Sequence, residues 1–288
     1  MAPSPPSDSP QLTGQTPSPA SGFQAAEPLS QPLPAHLDLW QQSLGWQPTE
    51  AQQNLFQQLY AQILAGNQQL NLTRITGPDE FWEKHLWDSL SGLAPWIAEE
   101  AAAVSPPEDD DMGADQSPIR MIDIGTGAGF PGIPAAIALS PLAPIDLTLV
   151  EATRKKVQFL KTLCHQLGLP ATCIAARAEA LGQQSAHRAR YDLALVRAVG
   201  SAATCAEYAL PLLTTGGQAV LFRGQWSTDD TEALLPVIEL LGGELTDLQS
   251  WQTPLTQSSR HCLFIHKVRL TPPDFPRAVG VPGKHPLT

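Results

Sequence analysis

The sequence predicts an α/β fold in which a mostly parallel sheet carries helices on both faces, preceded by an N-terminal helical segment. Two observations lead to this prediction. From residue 119 onward, short and nearly continuous apolar segments alternate with segments of helical periodicity, as expected for a parallel sheet that is covered on both faces. The first apolar segment also runs into a glycine-rich turn and a helix start, an arrangement that holds nucleotide-like ligands beyond the strand ends.

Two segments of unusual composition flank the N-terminal helical part. Residues 1–35 are rich in Pro, Ser and Gln and contain no Lys or Arg, so we predict a disordered extension and neither a secretory signal nor an Arg-rich transit peptide. Residues 105–118 combine prolines with an acidic run, which predicts a flexible linker. The helical part then spans 36–104, the main α/β domain spans 119–268, and a basic, Pro-rich tail covers 269–288.

The N-terminal part contains two helix signals. Thr49 and Gln52 have the spacing of a capping box before an amphipathic stretch, which predicts a helix start. A second predicted helix places His85, Asp88 and Ser89 on one turn. Neighbouring positions on one helix cannot form a hydrolase triad, whose members must converge from separate elements. We therefore expect these three side chains to make surface hydrogen bonds or to contact a substrate.

The alternation of apolar and helical segments predicts six strands with helices between them. The strands are predicted at 119–124, 146–151, 171–176, 191–197, 217–223 and 261–268. The helices are predicted at about 131–140, 153–167, 202–213 and 229–242. In such a sheet the ligand lies beyond the carboxyl ends of the parallel strands, so the residues that follow each strand are the candidates for a functional site.

The charge is unevenly distributed along the 288 residues. The net charge of −11 by itself disfavours a nucleic-acid partner. Residues 1–119, however, hold two basic residues against fifteen acidic ones (net −13), whereas 120–288 hold fifteen against thirteen (net +2). The part with the glycine turn is therefore mildly basic. Its cluster at 154–161 fits an RNA-facing surface as well as it fits a solvated helix face.

The cysteines and the hydropathy of the sequence limit the compartments in which the protein is expected. Four cysteines are scattered without C-x-x-C spacing, which predicts neither a disulfide framework nor a zinc site and fits a reducing cytoplasm. No apolar run in the sequence reaches the roughly eighteen residues that a membrane span needs. We therefore predict a cytoplasmic protein, without membrane contact or bound metal, and we expect a monomer.

The glycine turn is the most informative stretch of the chain. Asp123 lies at the end of an apolar strand, and Gly125, Gly127 and Gly129 follow at every second position. Glycine tolerates positive φ and has no Cβ, so a ligand can lie directly on the backbone. Together with Asp123, the alternating glycines match the D-x-G-x-G-x-G signature of S-adenosylmethionine (SAM) methyltransferases.

A second interpretation uses a different set of glycines. Gly127, Gly129 and Gly132 match the G-x-G-x-x-G of NAD sites, and a glutamate follows about twenty residues further on. We favour the SAM interpretation for three reasons. The carboxylate of Asp123 can meet an ammonium group or order water. Phe130-Pro131 replaces the small residues with which a dinucleotide-binding helix usually starts. Finally, no second mononucleotide-binding half follows in the sequence.

The ends of the second and third predicted strands offer further candidates on the same side. Glu151, Ala152 and Thr153 follow the second strand, and a carboxylate here can accept both hydroxyls of a ribose. The alternative is that Glu151 caps the following helix. Ala178 and Glu179 follow the third strand, where an adenine ring would lie against backbone and small side chains.

Two arginines follow the fourth and fifth predicted strands. Arg197 and Arg223 each end an apolar segment, and a guanidinium at such a position needs a polar or charged partner. We expect both side chains to face the ligand crevice and to position a substrate there.

At these residues the chain resembles the bacterial guanine-N7 methyltransferases of small-subunit ribosomal RNA, also called glucose-inhibited division protein B. The resemblance covers roughly residues 50–288. The stretches that carry it are Asn71-Leu72-Thr73, His85 to Leu90, Asp123 to Pro134, Arg154 to Leu160, Ala178-Glu179, Arg197-Ala198-Val199, and the tail from Thr271 to Arg277 with Pro282-Gly283-Lys284.

The resemblance implies a reaction and a set of contacts. It implies that SAM is the methyl donor and that N7 of a guanine in 16S ribosomal RNA, free or within the small subunit, is the acceptor. The residues implied to contact SAM are Gly125, Gly127, Phe130, Glu151, Ala152, Thr153, Ala178, Glu179 and Arg197. No residue is assigned a proton-transfer role, since Arg197 and Arg223 are expected to act by positioning.

Two departures and three rival interpretations stay open. The Pro-rich N-terminus and the acidic insert at 105–117 are not part of the family's core pattern. Where the family usually has Lys-Gly after the fifth strand, this chain has Arg223-Gly224, which keeps the charge but replaces a compact ammonium with a planar fork. The rivals are an NAD-dependent oxidoreductase, a SAM methyltransferase acting on another substrate, and a non-catalytic RNA-binding or ribosome-assembly protein.

Overall fold

The computed structural model describes Met1 and residues 31–97 and 117–288. Most of the predicted extension at 1–35 and of the predicted linker at 105–118 lies outside the described residues. The proposed division between 36–104 and 119–268 stays a prediction.

Seven strands of the described residues form a single sheet. They are β1 (Ile119–Ile124), β2 (Ile145–Glu151), β3 (Ala171–Ala175), β4 (Tyr191–Arg197), β5 (Leu213–Arg223), β6 (Gly243–Gln252) and β7 (Ser259–Lys267). Their order across the sheet is β3-β2-β1-β4-β5-β7-β6. Neighbours from β3 to β5 pair in parallel, whereas β7 is antiparallel to both β5 and β6. The predicted mostly parallel sheet is confirmed.

Strand β6 is the one that the sequence pattern did not reveal. It forms an edge of the sheet, and most of its side chains are exposed or half-buried. An edge strand that faces water does not need the continuous apolar run by which buried strands are recognised. The same pairing explains why β7 reverses direction, since β6 and β7 form a hairpin.

Helices cover both faces of the sheet, as predicted. They are α1 (Leu37–Leu44), α2 (Glu50–Asn67), α3 (Pro78–Phe81), α4 (Asp88–Ser91), α5 (Gly132–Leu139), α6 (Arg154–Gln166), α7 (Ala178–Gly182), α8 (Ala202–Ala209), α9 (Thr228–Leu240) and α10 (Val281–Lys284). A π-helical turn at Trp82–Trp87 joins α3 to α4. None of the helices in the described ranges has both the length and the apolar character of a membrane span.

The N-terminal helices belong to the core on one face of the sheet. Buried residues of α2 and of the π-turn form one apolar cluster with α5 and α6, whereas a second cluster joins α8 and α9 to the other face. The predicted capping box at Thr49 and Gln52 is present. The Gln52 amide also donates to the carbonyls of Ile137 and Ala138, at 2.9 and 3.1 Å. The start of α2 is therefore tied to the end of α5.

The C-terminal tail packs against α7 and α8. The guanidinium and backbone N–H of Arg277 bind the fully buried carboxylate of Glu207. Thr204 donates to the carbonyl of Pro282 at 2.9 Å, and the N–H of Gly280 donates to Glu179. These contacts place the tail beside the carboxyl end of β3, close to the predicted ligand crevice.

Candidate active site

The glycine turn adopts a conformation that only glycine takes without strain. Gly125, Gly127 and Gly129 have φ of 71°, 60° and 103°, in the region that disfavours a Cβ. At Gly125 a Cβ would also lie 2.7 Å from the Val199 side chain. A Cβ on Gly127 would meet no atom within 4 Å. The backbone of Gly127 therefore borders open space, as a surface for a ligand requires.

Asp123 lies beneath this turn with one oxygen unused. Its side chain is fully buried, and Oδ2 accepts from Thr126 Oγ1 at 2.6 Å and from the N–H of Gly132 at 2.8 Å. Its Oδ1 is buried without a hydrogen-bond partner among the described residues. Burial raises the pKa of this carboxyl to about 6. An unpaired buried carboxylate oxygen is costly unless a donor reaches it, so this atom is suited to a ligand cation or a water.

Glu151, Ala152 and Thr153 lie on the neighbouring strand end. The Glu151 side chain is buried and its Oε1 accepts from the N–H of Thr153 at 2.8 Å, whereas Ala152 and Thr153 are exposed. The N-cap of α6 is Thr153, so the alternative in which Glu151 caps this helix was wrong. The second oxygen of Glu151 has no hydrogen bond to any described residue, which leaves it able to accept from a bound hydroxyl.

Ala178 and Glu179 form the buried start of α7. The Glu179 carboxylate accepts from the guanidinium of Arg177 at 2.9 Å, from Tyr208 Oη at 3.1 Å and from the N–H of Gly280 at 2.9 Å. Protein groups therefore occupy this carboxylate. A SAM contact at this position would have to use the backbone, and it stays a prediction.

Phe130 connects the glycine turn to the N-terminal helices. Its ring stacks on His85 with centroids 4.4 Å apart and planes 7° apart, and the guanidinium carbon of Arg197 lies 5.7 Å from the Phe130 centroid. Burial, with the charges of Arg197 and Lys84, lowers the pKa of His85 to about 3. His85 is therefore neutral at physiological pH. Ala198, next to Arg197, has a positive φ of 56°, a strain that often accompanies ligand sites.

Three arginines surround a cavity of about 590 Å³ at the carboxyl ends of β4 and β5 and the start of β7. Asp88 binds two of them, with Oδ2 2.7 Å from Arg197 Nη1 and Oδ1 2.9 Å from Arg260 Nε. Arg223 donates to the carbonyl of Gly200 at 2.7 Å. In each guanidinium at least one nitrogen has no partner among the described residues. The cavity thus presents free donors and a net positive charge.

The sequence pattern did not predict how Asp88 and Arg260 reach this cavity. Asp88 was expected to make surface hydrogen bonds or to contact a substrate. The surface part was wrong, since its side chain is largely buried and binds two arginines, and the substrate contact stays a prediction. The surface expectation was also wrong for Ser89, which is fully buried. Arg260 was not singled out, since it lies near the start of β7. Because β7 is antiparallel to β5, its start lies at the edge where the parallel strands end. A prediction that the final strand runs antiparallel would have placed Arg260 at this edge.

Within the described parts of the chain, no group of three or more His, Cys, Asp or Glu side chains is arranged to hold a metal ion.

Comparison with known proteins adds the family. The family model described as GidB, rRNA small subunit methyltransferase G, matches residues 52–262. Proteins named ribosomal RNA small subunit methyltransferase G are similar over most of their length. That of Trichormus variabilis is 52% identical over 257 residues, covering 88% of this chain and 98% of the relative. Those of Nostoc punctiforme and Synechococcus elongatus are 48% and 49% identical, covering 88% and 86% of this chain and 98% and 95% of the relatives. The chain belongs to the rRNA small subunit methyltransferase G family.

Proposed function

We propose that this enzyme transfers a methyl group from SAM to N7 of a guanine in the 16S ribosomal RNA of the small subunit. The reaction class follows from the family. The observation that supports the arrangement of the reactants is the meeting of two unlike surfaces at one sheet edge. A glycine turn with an unpaired carboxylate oxygen borders β1, and an arginine-lined cavity lies at the ends of β4 and β5.

The residues beside the turn fit the groups that SAM presents. The unpaired Oδ1 of Asp123 can accept from the ammonium of the methionine part, and the free oxygen of Glu151 can accept from the ribose hydroxyls. The open space at Gly127 leaves room for the ligand against the backbone. When bound, SAM supplies an electrophilic methyl group on a sulfonium sulfur.

The acceptor needs positioning and no deprotonation. N7 of guanine carries an exposed lone pair, so the protein does not have to remove a proton before transfer. Holding two reactants in line at roughly 3–3.5 Å can supply about 7–11 kcal/mol of the barrier reduction. This requirement agrees with the cavity lining, whose charged side chains among the described residues are three arginines and Asp88, which already binds two of them.

The arginines can bind the RNA without repelling the positive charge of the methylated base. Methylation at N7 makes the base cationic, so a guanidinium placed directly against N7 would be unfavourable. Arg197 and Arg223 more reasonably donate to the guanine O6 or to phosphate oxygens, which are acceptors of suitable geometry. A base within a structured RNA has to leave its stack to enter such a cavity.

Two measurements test the proposal. Calorimetric titration should show binding of SAM and of its demethylated product, and no binding of NADH. Labelled methyl groups should pass from SAM to ribosomal RNA, and mapping should locate them at a guanine N7. NADH binding without SAM binding would favour an oxidoreductase. SAM binding with transfer to a different acceptor would favour a methyltransferase for another substrate. RNA binding without transfer would favour an assembly protein.

We also propose that the protein acts as a monomer in the cytoplasm. Its free cysteines are compatible with a reducing compartment, and sedimentation at several protein concentrations would test the monomer.

A further inference from the structure

The π-helical turn between α3 and α4 changes which side chains share a face. In an α-helix, residues three and four apart lie on one face. A π-turn bonds residue i to i+5, so residues five apart lie one above the other. Glu83 and Asp88 are five apart, at one end of the π-turn and just beyond the other. Both carboxylates contact the β6–β7 hairpin.

Glu83 holds the connection between β6 and β7. Glu83 is 1% exposed, and its Oε1 accepts from the N–H groups of Leu255 and Thr256 at 2.5 and 2.9 Å. Its Oε2 accepts from Thr256 Oγ1 at 2.6 Å. Burial alone would raise the pKa of Glu83, but the hydrogen bonds from Thr256 and Leu255 hold it below the usual range. The carboxylate is therefore ionised and fully used by the hairpin.

Asp88 holds the same hairpin at a second point. Its Oδ1 accepts from Arg260 Nε at 2.9 Å, four residues beyond Thr256. Arg260 lines the cavity and keeps Nη2 without a partner among the described residues. Glu83 does not line the cavity. It can therefore affect the cavity through the hairpin that carries Arg260.

We propose that the π-turn is a two-point clamp, in which Glu83 and Asp88 fix the β6–β7 hairpin so that Arg260 presents its free guanidinium nitrogen to a phosphate of the RNA substrate. Glu83 is then a positioning residue for RNA binding. The inference rests on the proposed function, since it takes RNA as the ligand of the arginine cavity. The pairing of β7 with β5 begins at His261, so Glu83 fixes the connection that precedes Arg260, and Asp88 fixes the Arg260 guanidinium itself.

The test compares Glu83→Ala with Glu80→Gln. Glu80 is a matched control because it is an exposed acid on the adjoining helix that pairs with Lys84 and with no other described residue. In Glu83→Ala we expect faster hydrogen exchange at the Leu255 and Thr256 amides and a KM for RNA raised about tenfold, as for loss of a charge-assisted hydrogen bond. The slope of log KM against log salt should fall by roughly 0.7–0.9, as for one lost phosphate contact. The Kd for SAM should not change in Glu83→Ala. In Glu80→Gln, neither amide exchange, the KM for RNA, its salt dependence nor the Kd for SAM should change.

A double-variant cycle separates positioning from general stability. If Glu83 acts through Arg260, adding Glu83→Ala to an Arg260→Ala background should raise the KM for RNA no further. If Glu83→Ala does not fold, Glu83→Gln replaces it in the cycle, since Gln keeps one acceptor oxygen for the amides while removing the charge.

Three results would overturn the clamp. One is faster amide exchange with an unchanged KM for RNA. Another is an equal rise in the KM for RNA and the Kd for SAM, which would indicate general loosening. The third is additive effects in the double variant. If the wild-type protein itself methylates no ribosomal RNA, the proposed function fails and the clamp fails with it.

Discussion

The two halves of the crevice are built from different chemical groups. On the side of β1 and β2, the proposed ligand surface consists of glycine backbone and two carboxylates, all within residues 123–153. On the side of β4, β5 and β7, it consists of guanidinium groups. The first half suits a ligand with an ammonium and hydroxyl groups, and the second suits an anionic polymer. The difference indicates that the two substrates can be tested separately by mutation.

The largest effect is expected where the halves meet, at Arg197. This side chain lies over Phe130 on one side and binds Asp88 on the other. We expect Arg197→Ala to lower kcat/KM for methylation by roughly 150-fold, from the loss of about 3 kcal/mol of charged hydrogen bonding. Circular dichroism should show an intact fold. Arg190→Ala, at an exposed position before β4, is the charge-matched control, and unchanged turnover in Arg197→Ala would remove Arg197 from the site.

The next largest effect is expected on the β1 and β2 side of the crevice, which is proposed to bind SAM. Asp123→Asn keeps an acceptor for Thr126 and Gly132 but replaces the unpaired oxygen with an amide group. We expect SAM affinity to fall roughly 30-fold, or about 2 kcal/mol, as measured by calorimetry. RNA affinity, measured without SAM, should not change. A parallel loss of RNA affinity would show that the two halves are not independent.

The pH dependence sharpens the same assignment. A carboxyl with a pKa of about 6 is ionised above that pH and protonated below it. If the ionised Asp123 binds the ammonium, SAM affinity should be full above pH 7 and should fall roughly tenfold by pH 5. Asp123→Asn should show a flat profile over this range. A wild-type profile without a step near pH 6 would argue against this contact.

The smallest effect is expected on the β4, β5 and β7 side of the crevice, which is proposed to bind RNA. Arg223 is partly exposed and contacts Gly200 and Trp226, so solvent weakens its interaction with RNA. We expect Arg223→Ala to raise the KM for RNA by roughly three- to tenfold and to leave the Kd for SAM unchanged. Arg223→Lys should restore most of the affinity if a single charged contact to a phosphate is enough, but little if two parallel hydrogen bonds from the planar guanidinium are needed.

Features that depend on neighbouring residues could be predicted from the sequence alone. The range of β1 and the capping box of α2 agree with the structure. The three glycines at every second position all adopt positive φ. In each case the determining groups lie within a few residues of one another, so periodicity and residue type were sufficient. The same local pattern supports the proposed SAM side of the crevice.

Only the tertiary structure brought together the charged residues around the arginine cavity. Asp88 meets Arg197 across 109 positions of sequence and Arg260 across 172, and no local pattern encodes such a pairing. The polar edge strand β6 determines that β7 runs backward, and this reversal carries Arg260 to the ligand edge. The sequence by itself thus determined the parallel sheet and its glycine turn. The folded chain decided which distant charges surround the cavity, because burial and strand direction, and not proximity in sequence, select their partners.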